Sequence, residues 1–373
     1  MAGATVSQSM LRVAVAGTGS FGRNHLRVYR ELEAAGQGVA LIAAVEPNPA
    51  RAAETAAKYA IPVFATADKL LAADLKLDAA TVSVPTVHHQ EVASVLLDGG
   101  LDVLVEKPIA TSLAEADDLI TRAEKGKRIL QIGHLERFNP AILTAQPRLR
   151  RPMFFESHRL SIFTPRSLDV DVVLDLMIHD LDIVLTFANS PVREVRAVGL
   201  PILSPKVDIA SVRVEFESGC VANFTASRVS TEKVRKLRYF EPRQYVSIDY
   251  ARQDLLVIRL DATGAAGALA ALPPELAAAI KAGKADPALL AKLASAGKGG
   301  PAPGLSFAKP PVTPGEPLRL ELLSFLEAVR TRREPRVTAR QGRNALALAL
   351  EIQAAMAVHA RRAGLNSFFN PGA

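Results

Sequence analysis

Lys107 stands immediately before Pro108, and proline confines the residue ahead of it to extended backbone, so the direction of the lysine side chain is fixed. An ammonium held that way can donate a hydrogen bond to a substrate hydroxyl or carbonyl oxygen, and a neighbouring cation would push its pKa down. The alternative is a surface lysine in a loop. His179 follows Asp175 by one helical turn, which puts both on one helix face, within reach of one substrate or of each other. With a reference pKa near ~6.5, histidine is the side chain best suited to accept a proton around neutrality. A half-buried histidine satisfied by a neighbouring carboxylate is the competing reading. Asp175, His179 and Asp182 could also supply metal ligands, but the chain has no second histidine pair or cysteine set to complete such a site.

The elements that position these residues begin with Val13 to Ala16, an apolar run that reads as a buried strand and stops at Gly17-Thr18-Gly19-Ser20-Phe21-Gly22 before a helical pattern. Gly17 permits the tight turn, and Gly19 keeps side-chain atoms away from an approaching pyrophosphate. Gly22 lets the helix press against the strand so that its N-terminal N–H groups face the phosphates. A second apolar run, Val39 to Val45, ends in Glu46, at roughly the ~20 residues past the glycines where a ribose-binding acid is expected. Its carboxylate repels a 2′-phosphate by about 4 kcal/mol at about 4 Å and an effective dielectric near 20, so NAD is expected over NADP. Arg51 is close enough in sequence to weaken that preference by folding back.

The chain has 373 residues, comfortable for two domains, and 49% hydrophobic residues, enough for real cores. Met1 to Met10 shows no basic region leading into an apolar stretch, and no run of ~18 apolar residues occurs, so neither secretion nor membrane insertion is expected. With Cys220 as the single cysteine there is no internal disulfide, which fits a reducing cytoplasm. The net charge of +7 permits an anionic partner. The basic clusters 148–151, 233–238 and 330–333 lack interleaved aromatics, zinc spacing or a DNA-binding helix, so nucleic acid is not expected, and solvated faces are the simple alternative.

Apolar runs at 13–16, 39–45, 80–84, 102–105 and 129–132 alternate with helical stretches at 20–35, 49–59, 87–98 and 112–125, which predicts a doubly wound parallel sheet over residues 1–133. Ligands of such sheets lie beyond the C-terminal strand ends, which draws attention to 84–89 and 105–108. Residues 134–373 read as an α+β domain with a large, mostly antiparallel open-faced sheet built from 153–160, 192–202, 210–217, 220–228, 233–240 and 244–260. A helix over 171–187 interrupts it, with Leu174, Ile178, Leu181 and Leu185 as its apolar stripe. The Ala/Gly/Pro-rich excursion 261–317 is expected to hold two short helices, 274–282 and 286–295, and mobile joints. Helices over 318–330 and 341–361 close the chain.

Taken together, the glycine motif, Pro85-Thr86-x-x-His89, Glu106-Lys107-Pro108 and Asp175-x-x-x-His179-Asp resemble the Gfo/Idh/MocA oxidoreductases in order and spacing. The resemblance implies a Rossmann domain followed by an open-sheet domain through which these proteins form homodimers or homotetramers. It makes Lys107 the lysine that contacts the oxygen on the reacting carbon and the nicotinamide, His179 the proton acceptor, and Asp175 a residue that binds substrate and orients the histidine. Pro85, Thr86, His89 and Glu106 would line the NAD site.

Residues 133–140 and 227–238 further resemble the branch that oxidises UDP-N-acetylglucosamine at C3, whose keto sugar feeds a transaminase in 2,3-diamino sugar synthesis for lipid A. Arg137, Asn139, Arg228 and Lys233 become the expected substrate contacts, and basic residues on the sheet suit a diphosphate. A dehydrogenase of a free sugar or polyol such as inositol, or an NAD-binding regulator of the same fold, are the alternatives.

Overall fold

Strands that are apolar along their whole length need cover on both faces, and helices between parallel strands provide it. The structure, a computed structural model, describes residues 10–164, 170–260 and 305–365 and position 278. In chain order, β1 (Leu11–Ala16) leads to α1 (Gly22–Ala34), β2 (Val39–Val45), α2 (Pro49–Tyr59), β3 (Val63–Phe64), α3 (Ala67–Ala72) and β4 (Ala79–Val82). Next come α4 (His89–Asp98), β5 (Asp102–Glu106), α5 (Leu113–Gly126) and β6 (Leu130–Gly133). The six strands are parallel in the order β3-β2-β1-β4-β5-β6, so the order reverses between β1 and β4 and opens a crevice at their C-terminal ends. β3 and α3 are additions to the sequence reading, too short to show a period.

The second unit contains α6 (Pro140–Ala145), β7 (Phe154–Leu160), a π-helical turn Val173–Met177, α7 (Ile178–Ala188), β8 (Val192–Leu200), β9 (Ile209–Phe216) and β10 (Val221–Ser227). It continues through β11 (Val234–Glu241), β12 (Gln244–Asp249), β13 (Asp254–Leu260) and β14 (Leu305–Ala308). These strands form one sheet, β14-β13-β12-β11-β7-β10-β9-β8. β7 and β10 pair parallel and the other neighbours antiparallel.

Alternation along the strands sorts the two faces. Phe155, Phe224, Leu237 and Tyr239 pack with Ile178 of α7 and with Ile352 of α9 (Ala339–Arg362). Phe154 and Phe240 stack with centroids 5.4 Å apart on the opposite, open face.

Two details differ from the sequence reading. The stretch 244–260 is a hairpin of two strands, and β14 lies in what reads as an Ala/Gly/Pro-rich excursion. The helices expected at 274–282 and 286–295 lie outside the described residues apart from position 278. The two final helices divide: Leu348, Ile352 and Met356 of α9 stay in the core of the second unit, while α8 (Pro317–Thr331) leaves it. Leu318, Leu322, Phe325 and Leu326 of α8 join Leu11, Val13 and Leu26 in the core of the first unit, because the α8 apolar stripe finds its cover there.

Candidate active site

The glycine turn fits a dinucleotide. Gly17 has φ +90°, and a Cβ on it would lie 2.7 Å from Val84 N, so this turn accepts only glycine. A Cβ on Gly22 would come within 1.9 Å of Gly17 O, which shows how closely α1 presses on the turn. Around Gly19 a Cβ would meet nothing within 4 Å: that side of the backbone is open to a phosphate group.

The neighbouring groups have sharply divided roles. Thr18 is turned inward, donating from N (3.1 Å) and Oγ1 (2.8 Å) to Glu46, so its amide faces away from a phosphate. Ser20 is exposed at the start of α1, and Phe21 lies edge-on to His25. Glu46 caps β2 and accepts from Thr18, from Asn48 N at 2.9 Å and from Arg51 Nη2 at 2.9 Å. Burial by itself would raise the pKa of this carboxyl, but the hydrogen bonds from Arg51, Asn48 and Thr18 together hold it below its ordinary value. Gly17, Gly19, Glu46, Arg51 and Pro85 line a cavity of about 480 Å³.

A second cavity, of about 500 Å³, shares Ser83, Val84 and Pro85 with the first and holds Phe21, Thr86, His89, Glu106, Lys107, Asp175 and His179. Four elements bring these together: the glycine turn ahead of α1, the turn after β4, the C-terminal end of β5 and the turn that leads into α7. The ring nitrogens of His89 lie 2.8 Å from Pro108 O and 3.0 Å from Val84 O, tying the β4 and β5 loops together. Glu106 Oε1 lies 2.9 Å from His25 Nε2.

Lys107 Nζ donates to the main-chain oxygen of Asp175 at 2.9 Å. Burial lowers the Lys107 pKa, with Arg159 adding to the effect and the carboxylates of Asp175 and Glu106 opposing it. His179 is held well below its ordinary value by burial and then by Lys107, Arg159, His134 and Arg235. Burial thus favours the neutral imidazole, the form in which a ring nitrogen can accept a proton.

The expected hydrogen bond between Asp175 and His179 is not formed among the described residues. The turn Val173–Met177 that carries Asp175 is π-helical, and α7 takes over at Ile178, one residue before His179. His179 Nδ1 is buried without a partner among the described residues.

The expected substrate contacts also divide. Arg137 is buried against Asp182, Thr186 and Arg336 O, and Asn139 caps α6 while donating to Tyr250 O at 3.0 Å. Arg228 is buried in an ion pair with Asp208 and donates to Val170 O. All three hold the second unit together. Lys233 is exposed just before β11 and does not line the cavity.

Two arginines do line it, although sequence reasoning passed over them. Arg159 is buried, bidentate to Asp180 and bonded to Glu136, and it faces Arg235 across the β7/β11 ladder. Arg235 is exposed and makes no ion pair among the described residues. Strand alternation is the signal that selects Arg235 within the basic run, since it shares a face with Leu237 and Tyr239.

Comparison with known proteins agrees with this geometry. Residues 11–134 match the NAD-binding Rossmann fold of the Gfo/Idh/MocA oxidoreductase family, and residues 141–243 match the family's C-terminal domain. A UDP-N-acetylglucosamine 3-dehydrogenase of Acidithiobacillus ferrooxidans is 38% identical over 246 residues, 66% of this chain and 76% of the relative. A solved structure of that enzyme superposes with a TM-score of 0.78 at 32% identity, covering 92% of this chain and 97% of the other. A scyllo-inositol 2-dehydrogenase (NAD(+)) of Bacillus subtilis is 25% identical over 238 residues, 60% of this chain and 69% of the relative. A levoglucosan dehydrogenase solved with NADH and L-sorbose shares the fold, with a TM-score of 0.75 at 15% identity over 94% of this chain and 97% of the other. Among the described residues no helix is long and apolar enough to cross a membrane. The chain belongs to the Gfo/Idh/MocA family and is an NAD-binding oxidoreductase.

Proposed function

We propose that this protein oxidises a hydroxyl of a nucleotide sugar, UDP-N-acetylglucosamine at C3, to the keto sugar. The observation that carries the reading is the cavity in which Lys107 and His179 share walls with Arg235, a cation that a diphosphate would suit and that has no ion-pair partner among the described residues. The similarity to the Acidithiobacillus ferrooxidans enzyme supports it. Bound NAD supplies the hydride acceptor. It would be held by the open backbone at Gly19, by the Glu46 end of β2 and by Pro85, Thr86 and Glu106 at the strand ends.

The chain's own groups do the rest. His179, neutral through burial, takes the hydroxyl proton. Lys107, anchored on the main chain of Asp175, donates a hydrogen bond to the same oxygen as negative charge develops on it. Asp175 favours the charged form of Lys107 through its carboxylate. In this reading the protein works in the cytoplasm as a homodimer or homotetramer joined through the open sheet, and a transaminase consumes its product on the way to a lipid A diamino sugar.

Calorimetry with UDP-N-acetylglucosamine, N-acetylglucosamine and scyllo-inositol tests the assignment. Tight binding of the nucleotide sugar alone, weakened about tenfold or more in Arg235→Ala, is expected for a charge-assisted phosphate contact. Preference for the free polyol would instead favour an inositol-type dehydrogenase.

A further inference from the structure

His134 directly follows β6 and is 1% exposed, yet neither of its ring nitrogens has a hydrogen-bond partner among the described residues. The same holds for His179 Nδ1, Asp182 Oδ2, Gln131 Oε1 and His25 Nδ1, and for both carboxyl oxygens of Glu321. Gly133, Leu135 and Glu136, on either side of His134, line the cavity that holds His179, and buried polar atoms are nearly always paired, with bound water where protein groups do not serve.

These groups act on one another. His134 feels Asp182 from α7, Arg137 from its own turn, and Lys107 and Glu106 from the end of β5, and it in turn acts on His179. Glu321 of α8 feels Glu106 and Asp182, while His25 of α1 is bonded to Glu106.

We propose that water links His179 to His134, and that His134 carries the substrate's proton inward and holds it beside Asp182 while substrate and cofactor fill the cleft. The proposal rests on the dehydrogenase reading above. The hydroxyl O–H bond breaks and its proton goes to His179. The C–H bond breaks with its electron pair going as hydride to the oxidised nicotinamide, and the carbonyl forms. His179 then releases a proton from its other ring nitrogen, through water, to His134, and the resulting imidazolium lies in the field of Asp182 and Glu106, with Lys107 and Arg137 opposing.

Burial lowers the pKa of the His134 ring and so favours its neutral form, the form with a nitrogen that can accept. His134 touches no reacting atom. It acts through His179 as a positioning residue for the proton.

The test compares wild type, His134→Phe and His134→Gln as full-length proteins with NAD and UDP-N-acetylglucosamine. Thermal unfolding confirms that each variant is folded. Both variants are expected to lose roughly 10–100-fold in kcat, less than the ~10²–10⁴ of losing the base itself, with KM values for both substrates kept within about twofold. The solvent deuterium isotope effect on kcat should rise, and added imidazole should restore part of the rate.

If the Phe variant fails to fold, the Gln variant, which forms hydrogen bonds but does not titrate, decides alone. A folded variant with wild-type kcat overturns the proposal, as does a loss that neither imidazole nor pH alters. Wild-type protein that oxidises neither this sugar nor scyllo-inositol overturns the underlying dehydrogenase reading instead.

Discussion

Lys107 reaches the main-chain oxygen of Asp175, not its carboxylate, at 2.9 Å. The anchor lies within the π-helical turn that precedes α7, so the position of the lysine depends on backbone geometry more than on the residue 175 side chain. Asp175→Asn should therefore leave Lys107 in place, while Lys107→Ala removes the donor. A loss of about 10²–10³ in kcat is expected for Lys107→Ala and a clearly smaller one for Asp175→Asn, with NAD binding retained in both. Equal losses would put the Asp175 carboxylate itself in the chemistry.

The same pair governs the alkaline side of the pH profile. Lys107 donates best as the ammonium, and burial has already lowered its pKa, so activity should fall as pH rises through a value below the ordinary lysine range. The Asp175 carboxylate raises that pKa, and Asp175→Asn removes its support. The alkaline limb of kcat should move to lower pH in this variant. A limb that stays put, measured across the same buffers, contradicts the assignment.

Gly19 and Gly22 separate binding from folding. Gly19→Ala meets only open space, so the free protein should keep its Tm while NAD affinity drops by about tenfold or more. Gly22→Ala drives a methyl into Gly17 O, and its Tm should fall even without cofactor. Calorimetry of both variants with and without NAD reads the two effects.

Arg51 folds back onto Glu46, as its place in the sequence allowed. Its guanidinium offsets the carboxylate that rejects a 2′-phosphate, and it is itself a cation such a phosphate could use. Arg51→Ala should therefore raise the ratio of kcat/KM for NAD over NADP by about tenfold, a shift well within charge effects of this kind. A falling ratio would show that Arg51 serves mainly to hold Glu46 in position for the ribose.

Glu321 is fully buried with both carboxyl oxygens unpartnered among the described residues, and burial, then Glu106 and Asp182, raise its pKa well above 4.5. The folded protein holds this proton at pH values where the unfolded chain has lost it. The contribution is therefore fully favourable below the unfolded value near ~4.5 and is lost as pH rises through the folded value. Glu321→Gln should raise Tm by about 2–4 °C at pH 8, and the gain should shrink towards pH 4.5. A gain independent of pH would locate the effect in packing.

Much of the first unit was legible because strand and helix periods are strong there: the expected bounds of β2 and α2, 39–45 and 49–59, agree with the structure. That Glu106, Lys107, Asp175 and His179 meet in one cavity was legible too, since they sit at a strand end and around a helix start. The π-helical turn Val173–Met177 was not, because an inserted residue leaves no composition signal. That Arg137, Asn139 and Arg228 are buried on protein partners and do not line the cavity was not legible either. Buried polar contacts and ligand sites use the same residue types, and only partners distant in sequence tell them apart: Asp182 for Arg137, Asp208 for Arg228 and Tyr250 O for Asn139.

The most direct measurement is NADH formation from NAD and UDP-N-acetylglucosamine, followed by near-ultraviolet absorbance, with a carbonyl trap to draw the equilibrium forward. Steady NADH growth is expected in wild type, with a fall of about 10²–10⁴ in His179→Ala despite intact NAD binding, and none of this growth with UDP alone. Wild-type turnover in His179→Ala, or a wild-type enzyme that binds the nucleotide sugar and NAD yet forms no NADH, would contradict this expectation.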